Sequence, residues 1–221
     1  MLDRLLDTIA PHICCSCGVE NGLLCQYCQY DIVSERFECC VVCLKPTANS
    51  SLCSSCHKTV RYDDGWVVGW RRDSLRQLID LYKFERAVAA SDILAVLLHH
   101  TLPQFPTETI VTYIPTISSH RRQRGYDHMK CVAEKFAQRR RLQSSDLLDR
   151  RTSLPQRGST KKDRLTRQSG AFEVRSEVGS PVLILDDIYT TGGTITAGVQ
   201  ALRSVSSQPI FVGIIARQPL D

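Results

Sequence analysis

Apolar positions in this chain fall into short runs that switch between strand and helix spacing. Residues 182–185 (Val-Leu-Ile-Leu) are apolar without interruption, which predicts a strand covered on both faces. Residues 65–70, 109–114 and 210–216 read as further strands, and 171–174 as a short one ahead of the central run. The spacing of Leu75, Leu78, Ile79 and Tyr82 predicts an amphipathic helix with Lys83 at its end. Ile93, Leu94 and Leu97 mark a second helix that stops before Pro103. Val132, Ala133 and Phe136 mark a third, and Ile195, Val199 and Leu202 a fourth. Strands alternating with helices predict an α/β fold on a mostly parallel sheet. Two stretches break the pattern: the polar, arginine-rich residues 116–128, and residues 149–170, which read as a mobile surface loop.

At the start of the chain, Leu2, Leu5, Leu6 and Ile9 recur at helical spacing with Asp3 and Asp7 among them. Acidic residues beside so short an apolar face predict a packing helix rather than a signal peptide. No apolar run approaches the roughly 20 residues of a membrane span, so the expectation is a cytoplasmic protein without membrane insertion.

Cysteine usage divides the chain. Ten of its eleven cysteines precede residue 57. Eight form four C-x-x-C pairs: Cys14 and Cys17, Cys25 and Cys28, Cys40 and Cys43, Cys53 and Cys56. Each pair offers two thiolates from one turn, and two pairs complete a closed tetrahedral site, so two structural zinc ions are expected. Cys15 and Cys39 are then spare. Sequential pairing needs only short loops, while a cross-braced arrangement is also compatible with the spacing. A disulfide scaffold would call for a secretory signal, and an iron–sulfur cluster is the remaining alternative. The expected organisation is a zinc module over residues 1–60, which needs its metal to fold, and an α/β domain over 61–221.

Chemistry concentrates after the central strand. Asp186 and Asp187 are followed by Ile188, Tyr189 and the small-residue run Thr190, Thr191, Gly192, Gly193, Thr194. A strand, a tight turn and a helix start present backbone N–H groups to a phosphate, aided by the helix dipole. The turn lacks the lysine of a Walker A motif, which argues against ATP hydrolysis. Carboxylates repel phosphate but accept hydrogen bonds from a diol, or help hold Mg²⁺. A diol and a phosphate at that separation describe a 5-phosphorylated ribose. An Asp-capped helix in some other α/β fold is the plainer alternative.

The run resembles the phosphoribosyl-pyrophosphate (PRPP) loop of class I phosphoribosyltransferases, with Tyr189 bulkier than the usual aliphatic residue. A narrower resemblance follows from three further stretches. Residues 114–129 (IPTISSHRRQRGYDHM) resemble the arginine-rich signature of the ComF family, with Tyr126, Asp127 and His128 as departures. Residues 150–172 resemble that family's mobile loop, keeping Thr152, Gln156, Arg164, Ala171 and Phe172, with Arg167 a departure. Lys83 and the paired cysteines also match the family's pattern.

The resemblance implies a zinc module joined to a sheet of class I phosphoribosyltransferase type, Mg²⁺ bound with PRPP, and a role in DNA uptake during natural transformation, with uptake proteins such as a helicase as partners. Asp186 and Asp187 would be the catalytic residues and would hold the ribose. Thr190, Thr191, Gly192, Gly193 and Thr194 would hold the 5-phosphate, and Pro115, Thr116 and Arg124 the pyrophosphate.

Charge adds a second reading. Between residues 121 and 167 there are fifteen Lys and Arg against five Asp and Glu, whereas the whole chain carries only +5. Arg121, Arg122, Arg139, Arg140 and Arg141 are the expected contacts for single-stranded DNA, through phosphates and without sequence choice. A non-catalytic PRPP sensor or a DNA-binding factor of the uptake machinery is the alternative to an enzyme, and no residue identifies the acceptor.

Overall fold

The central strand runs from Val182 to Tyr189 and carries a parallel neighbour on each side. The computed structural model describes residues 13–20, 22–47, 51–85, 87–117, 119, 121–122, 125–151 and 171–219. The expected first helix, Arg124, and Thr152, Gln156, Arg164 and Arg167 of the expected loop lie outside them. In chain order the elements are α1 (Gln26–Ser34), α2 (Ser54–His57), β1 (Asp64–Trp70), α3 (Asp73–Phe84), α4 (Ala90–Thr101), β2 (Ile110–Tyr113) and α5 (His128–Arg140). Then come β3 (Gln143–Ser144), β4 (Leu148–Arg150), β5 (Phe172–Val174), β6 (Val182–Tyr189), α6 (Gly193–Arg203) and β7 (Ile210–Arg217). Five strands form one sheet in the order β1-β7-β6-β2-β3, every pairing parallel. The mixed α/β class and the parallel sheet therefore stand as expected.

Alternation along β6 explains why its apolar run is unbroken. Leu183 and Leu185 pack with α3, α4 and α5 on one face. Val182 and Ile184 pack with α6, β4 and β5 on the other. All four are fully buried, each contributing about 1.5–3 kcal/mol relative to exposure. The strand is longer than its apolar run predicts. Pairing with β7 continues through Asp186 opposite Ile214 to Tyr189 opposite Arg217, so the acidic pair lies within the strand.

Among the described residues, the cysteine-rich segment has no core separate from that of the sheet. Leu24, Cys14, Cys25 and Cys28 join the α3–α4–α5 side of the sheet. Phe37 and Val41 join the opposite side with Tyr62 and Val67. Helix α1, whose sequence shows no clear apolar stripe, starts after Cys25, carries Cys28 of the second pair and runs toward the third pair.

Beyond the sheet, β4 and β5 form an antiparallel pair that brackets residues 152–170. Asp149 and Arg150, expected within the mobile loop, instead belong to β4 and pair in register with Glu173 and Phe172, because Leu148 and Phe172 are both buried against α6 and its neighbours.

Topology selects one crevice. From β2 the chain passes through α5 to β3 on one side, while from β6 it passes through α6 to β7 on the other. Helices α5 and α6 lie on opposite faces. Ligands in such sheets bind outside the carboxyl ends of the strands where the order reverses. Here that point is between the ends of β2 and β6.

Candidate ligand site and metal centres

Both strand ends at the crevice carry the residues singled out from the sequence. After β6, Gly192 takes a left-handed conformation (φ +77°, ψ 2°) and caps the start of α6. Thr196 N–H donates to Gly192 O at 2.8 Å, which closes the first turn of the helix. Among the described residues, the amides of Thr191, Gly192, Gly193 and Thr194 have no acceptor. A turn with several free N–H groups at a helix N-terminus is suited to an anion. Tyr189 sets the shape of this turn: a Cβ at Gly192 would meet its Oη at 2.1 Å. Glycine is therefore demanded twice, by backbone conformation and by the ring beneath it.

Asp187 is held from two helices. Lys83, at the end of α3, places Nζ 2.6 Å from its Oδ2. His128, the first residue of α5, binds the same oxygen through Nε2. Burial pushes the Asp187 carboxyl up, but the His128 hydrogen bond and the Lys83 charge outweigh it and hold the group well below the usual carboxylate range. Asp186 behaves oppositely. Burial and the neighbouring Asp187 charge raise its pKa well above the ordinary value, against the opposing charges of Lys83 and Arg150. One carboxylate is thus committed to the charged form while the other is poised to hold a proton.

At the end of β2, the network continues. Thr116 N–H donates to Asp127 Oδ2 at 2.8 Å, and its Oγ1 lies 2.9 Å from Asp127 Oδ1 and 2.8 Å from His128 Nδ1. Asp127 also caps α5 by accepting from Met129 N–H. The Thr116 donors expected to meet pyrophosphate are engaged with Asp127. Pro115 O accepts from Arg150 Nε at 3.2 Å. Arg150 lies over the Phe172 ring, 4.9 Å from its centroid, within electrostatic reach of Asp186 and Asp127.

The arginines separate into two groups. Arg139 pairs with Asp92 at 2.8 Å, and Arg140 donates to His99 O and Leu102 O at 2.5 Å each, capping the end of α4. Arg141 ends α5 in a left-handed conformation and is exposed. Arg121 and Arg122 are exposed on a helical turn closed by Arg121 N–H to Ile117 O at 3.0 Å.

Cysteine pairing is sequential. Cys14, Cys17, Cys25 and Cys28 bring their sulfurs within 4.8 Å of one another, and so do Cys40, Cys43, Cys53 and Cys56. A tetrahedral zinc site with Zn–S near 2.3 Å requires sulfurs about 3.8 Å apart; Cys17 to Cys25 and Cys43 to Cys53 are both 3.6 Å. Backbone N–H groups already support thiolates: Cys25 N–H to Cys14 Sγ at 3.3 Å, and Cys56 N–H to Cys53 Sγ at 3.4 Å. Burial opposes ionisation at Cys14, but backbone donors lower its pKa to about 6. The Cys56 amide lowers Cys53 likewise, to about 6. Each donor set of four sulfurs fits a structural zinc ion, which would draw the remaining thiols into the thiolate form.

Arg150, His128 as a carboxylate partner and Arg217 were not assigned roles from sequence. His128 carried a signal in retrospect, since it follows the N-capping Asp127 directly. Among the described residues, no helix is long and apolar enough to cross a membrane. No protein-family model matches the chain, and no curated protein matches it in sequence.

Proposed function

We propose that the protein binds a 5-phosphorylated ribose of the PRPP type and is a phosphoribosyltransferase-like member of the ComF group acting in DNA uptake. One observation carries the reading: an acidic pair in the C-terminal half of β6 precedes a turn of amides without acceptors among the described residues, at the switch point of a parallel sheet. Ribose hydroxyls would meet Asp186 and Asp187, and the 5-phosphate would meet the amides of Thr191 to Thr194. Mg²⁺ bound with PRPP would neutralise pyrophosphate charge.

In transfer, the bond from ribose C1 to pyrophosphate breaks with its electron pair leaving on pyrophosphate, and the acceptor forms the new bond to C1. Arg150, at the end of β4 and bonded to Pro115 O just past β2, would receive the developing negative charge. Asp187, fixed by Lys83 and His128, stays charged beside the cationic ribose.

Calorimetric titration with Mg²⁺-PRPP, followed by a pyrophosphate-release screen across bases, amines and single-stranded DNA, tests this. Saturable binding that Asp187→Asn abolishes is expected; absence of binding would overturn the reading. Binding without release for any acceptor would favour a PRPP-sensing adaptor. On this reading the DNA contact falls to Arg121, Arg122 and Arg141, because Arg139 and Arg140 are engaged within the fold.

A further inference from the structure

Arg217, the last residue of β7, is 2% exposed yet carries a charge. Its hydrogen-bond partners are carbonyl oxygens. Nε donates to Val41 O at 2.9 Å, and Nη1 donates to Tyr189 O at 3.0 Å, Thr190 O at 2.8 Å and Gln218 O at 2.9 Å. Its guanidinium lies 4.9 Å from the centroid of the Tyr189 ring. Among the described residues no carboxylate pairs with it. A buried cation with only dipoles around it is costly, so its placement calls for a reason.

Two features of its surroundings supply one. Val41 sits inside the Cys40–Cys43 turn, between two of the second centre's four ligands. Tyr189 and Thr190 lead into the proposed phosphate turn. In a planar trans peptide the C=O and the following N–H point in opposite directions. Holding the Tyr189 and Thr190 carbonyls inward therefore turns the N–H groups of Thr190 and Thr191 away from Arg217. The Tyr189 ring, under the same guanidinium, is also the surface against which Gly192 turns. The uncompensated positive charge behind the turn adds to the attraction for an anion in front of it.

We infer that Arg217 is a positioning residue through which the Cys40, Cys43, Cys53, Cys56 centre sets the phosphate turn, so that zinc there and a phosphate on the turn strengthen each other's binding. The inference rests on the anion-binding reading above and adds its regulation. Reciprocity is required: if metal raises phosphate affinity by some factor, phosphate raises metal affinity by the same factor. The first centre, on the opposite face, has no such link to the turn among the described residues and serves as the internal control.

The test uses the full zinc-loaded chain, equilibrated with a competing zinc chelator, with and without saturating ribose 5-phosphate, and with ribose as the uncharged control. Pulsed cysteine alkylation read by mass spectrometry reports each centre separately. Ribose 5-phosphate should raise zinc affinity at Cys40, Cys43, Cys53 and Cys56 about fivefold or more, leave Cys14, Cys17, Cys25 and Cys28 unchanged, and ribose should do neither. Arg217→Gln should remove the protection. Arg217→Lys, which keeps the charge but not the grip on several carbonyls, should retain part of the phosphate affinity and lose the coupling. If calorimetry shows ribose 5-phosphate bound while the second centre is unprotected, the coupling is wrong and the binding reading stands. If calorimetry shows no binding, both fall. Should the variants fail to fold, the unmodified chain alone decides through the two centres' contrast.

Discussion

Replacing Gly192 by alanine confronts two separable obstacles. The backbone there has φ +77°, and holding an L-residue in the left-handed region costs about 1–2 kcal/mol. The new Cβ would also lie 2.1 Å from Tyr189 Oη and 2.4 Å from its Cζ. Tyr189 is 5% exposed and covered by Arg217, so the ring cannot retreat without disturbing that residue. Overpacking of this kind costs about 1–3 kcal/mol. The sum is about 2–5 kcal/mol, read by denaturant unfolding of the zinc-loaded chain. Tyr189→Leu removes the obstructing ring but leaves the backbone requirement. The double variant should therefore be more stable than the two single changes predict, by about 1–3 kcal/mol. Additivity within about 0.5 kcal/mol would refute the claim that the ring shapes the turn.

Further outcomes follow from the same geometry. Asp187→Asn leaves the Lys83 ammonium, with its side chain 14% exposed, short of its counter-charge; a loss of about 3–5 kcal/mol is expected, and adding Lys83→Met should recover most of it in thermal melts. Because burial and Asp187 raise the Asp186 pKa, a bound Mg²⁺ or a ligand that needs the carboxylate must expel a proton. Affinity for Mg²⁺-PRPP should therefore rise as pH rises through that raised value. Calorimetry in buffers of different ionisation enthalpy should register proton release, and pH-independent affinity with no proton release would contradict it. Arg140→Ala should lower the melting temperature more than Arg141→Ala, since only Arg140 caps α4. Elemental analysis should find two zinc ions per chain, and chelation should unfold the packing of Leu24, Phe37 and Val41.

The sequence made the local features legible. An unbroken apolar run, four C-x-x-C pairs and a Gly-Gly turn each declare themselves over a few residues, so the strand, the metal ligands and the turn could be placed directly. Sequential pairing of the cysteines, favoured by its short loops, was separated from cross-bracing only by the structure, because both arrangements satisfy the same spacing. What stayed hidden depends on distant residues meeting. Lys83 and His128 converge on Asp187 from separate helices, and nothing periodic marks that convergence. The arginines near residue 140 looked like one basic cluster, yet α4 recruits two of them through Asp92, His99 and Leu102. Arg217 lies one residue past the predicted strand 210–216, and nothing local marks its role, since its partners lie 176 and 28 residues away. Strand length was underestimated for a similar reason: pairing with β7 carries β6 past its apolar residues.

The central claim is that the amides after Tyr189 receive a sugar phosphate. Amide chemical shifts of the ¹⁵N-labelled, zinc-loaded chain, followed during titration with ribose 5-phosphate, test it most directly. The account predicts saturable shifts of Thr191, Gly192, Gly193 and Thr194, with ribose alone leaving them unmoved. Unchanged amides in that turn, with or without shifts elsewhere on the surface, would contradict it.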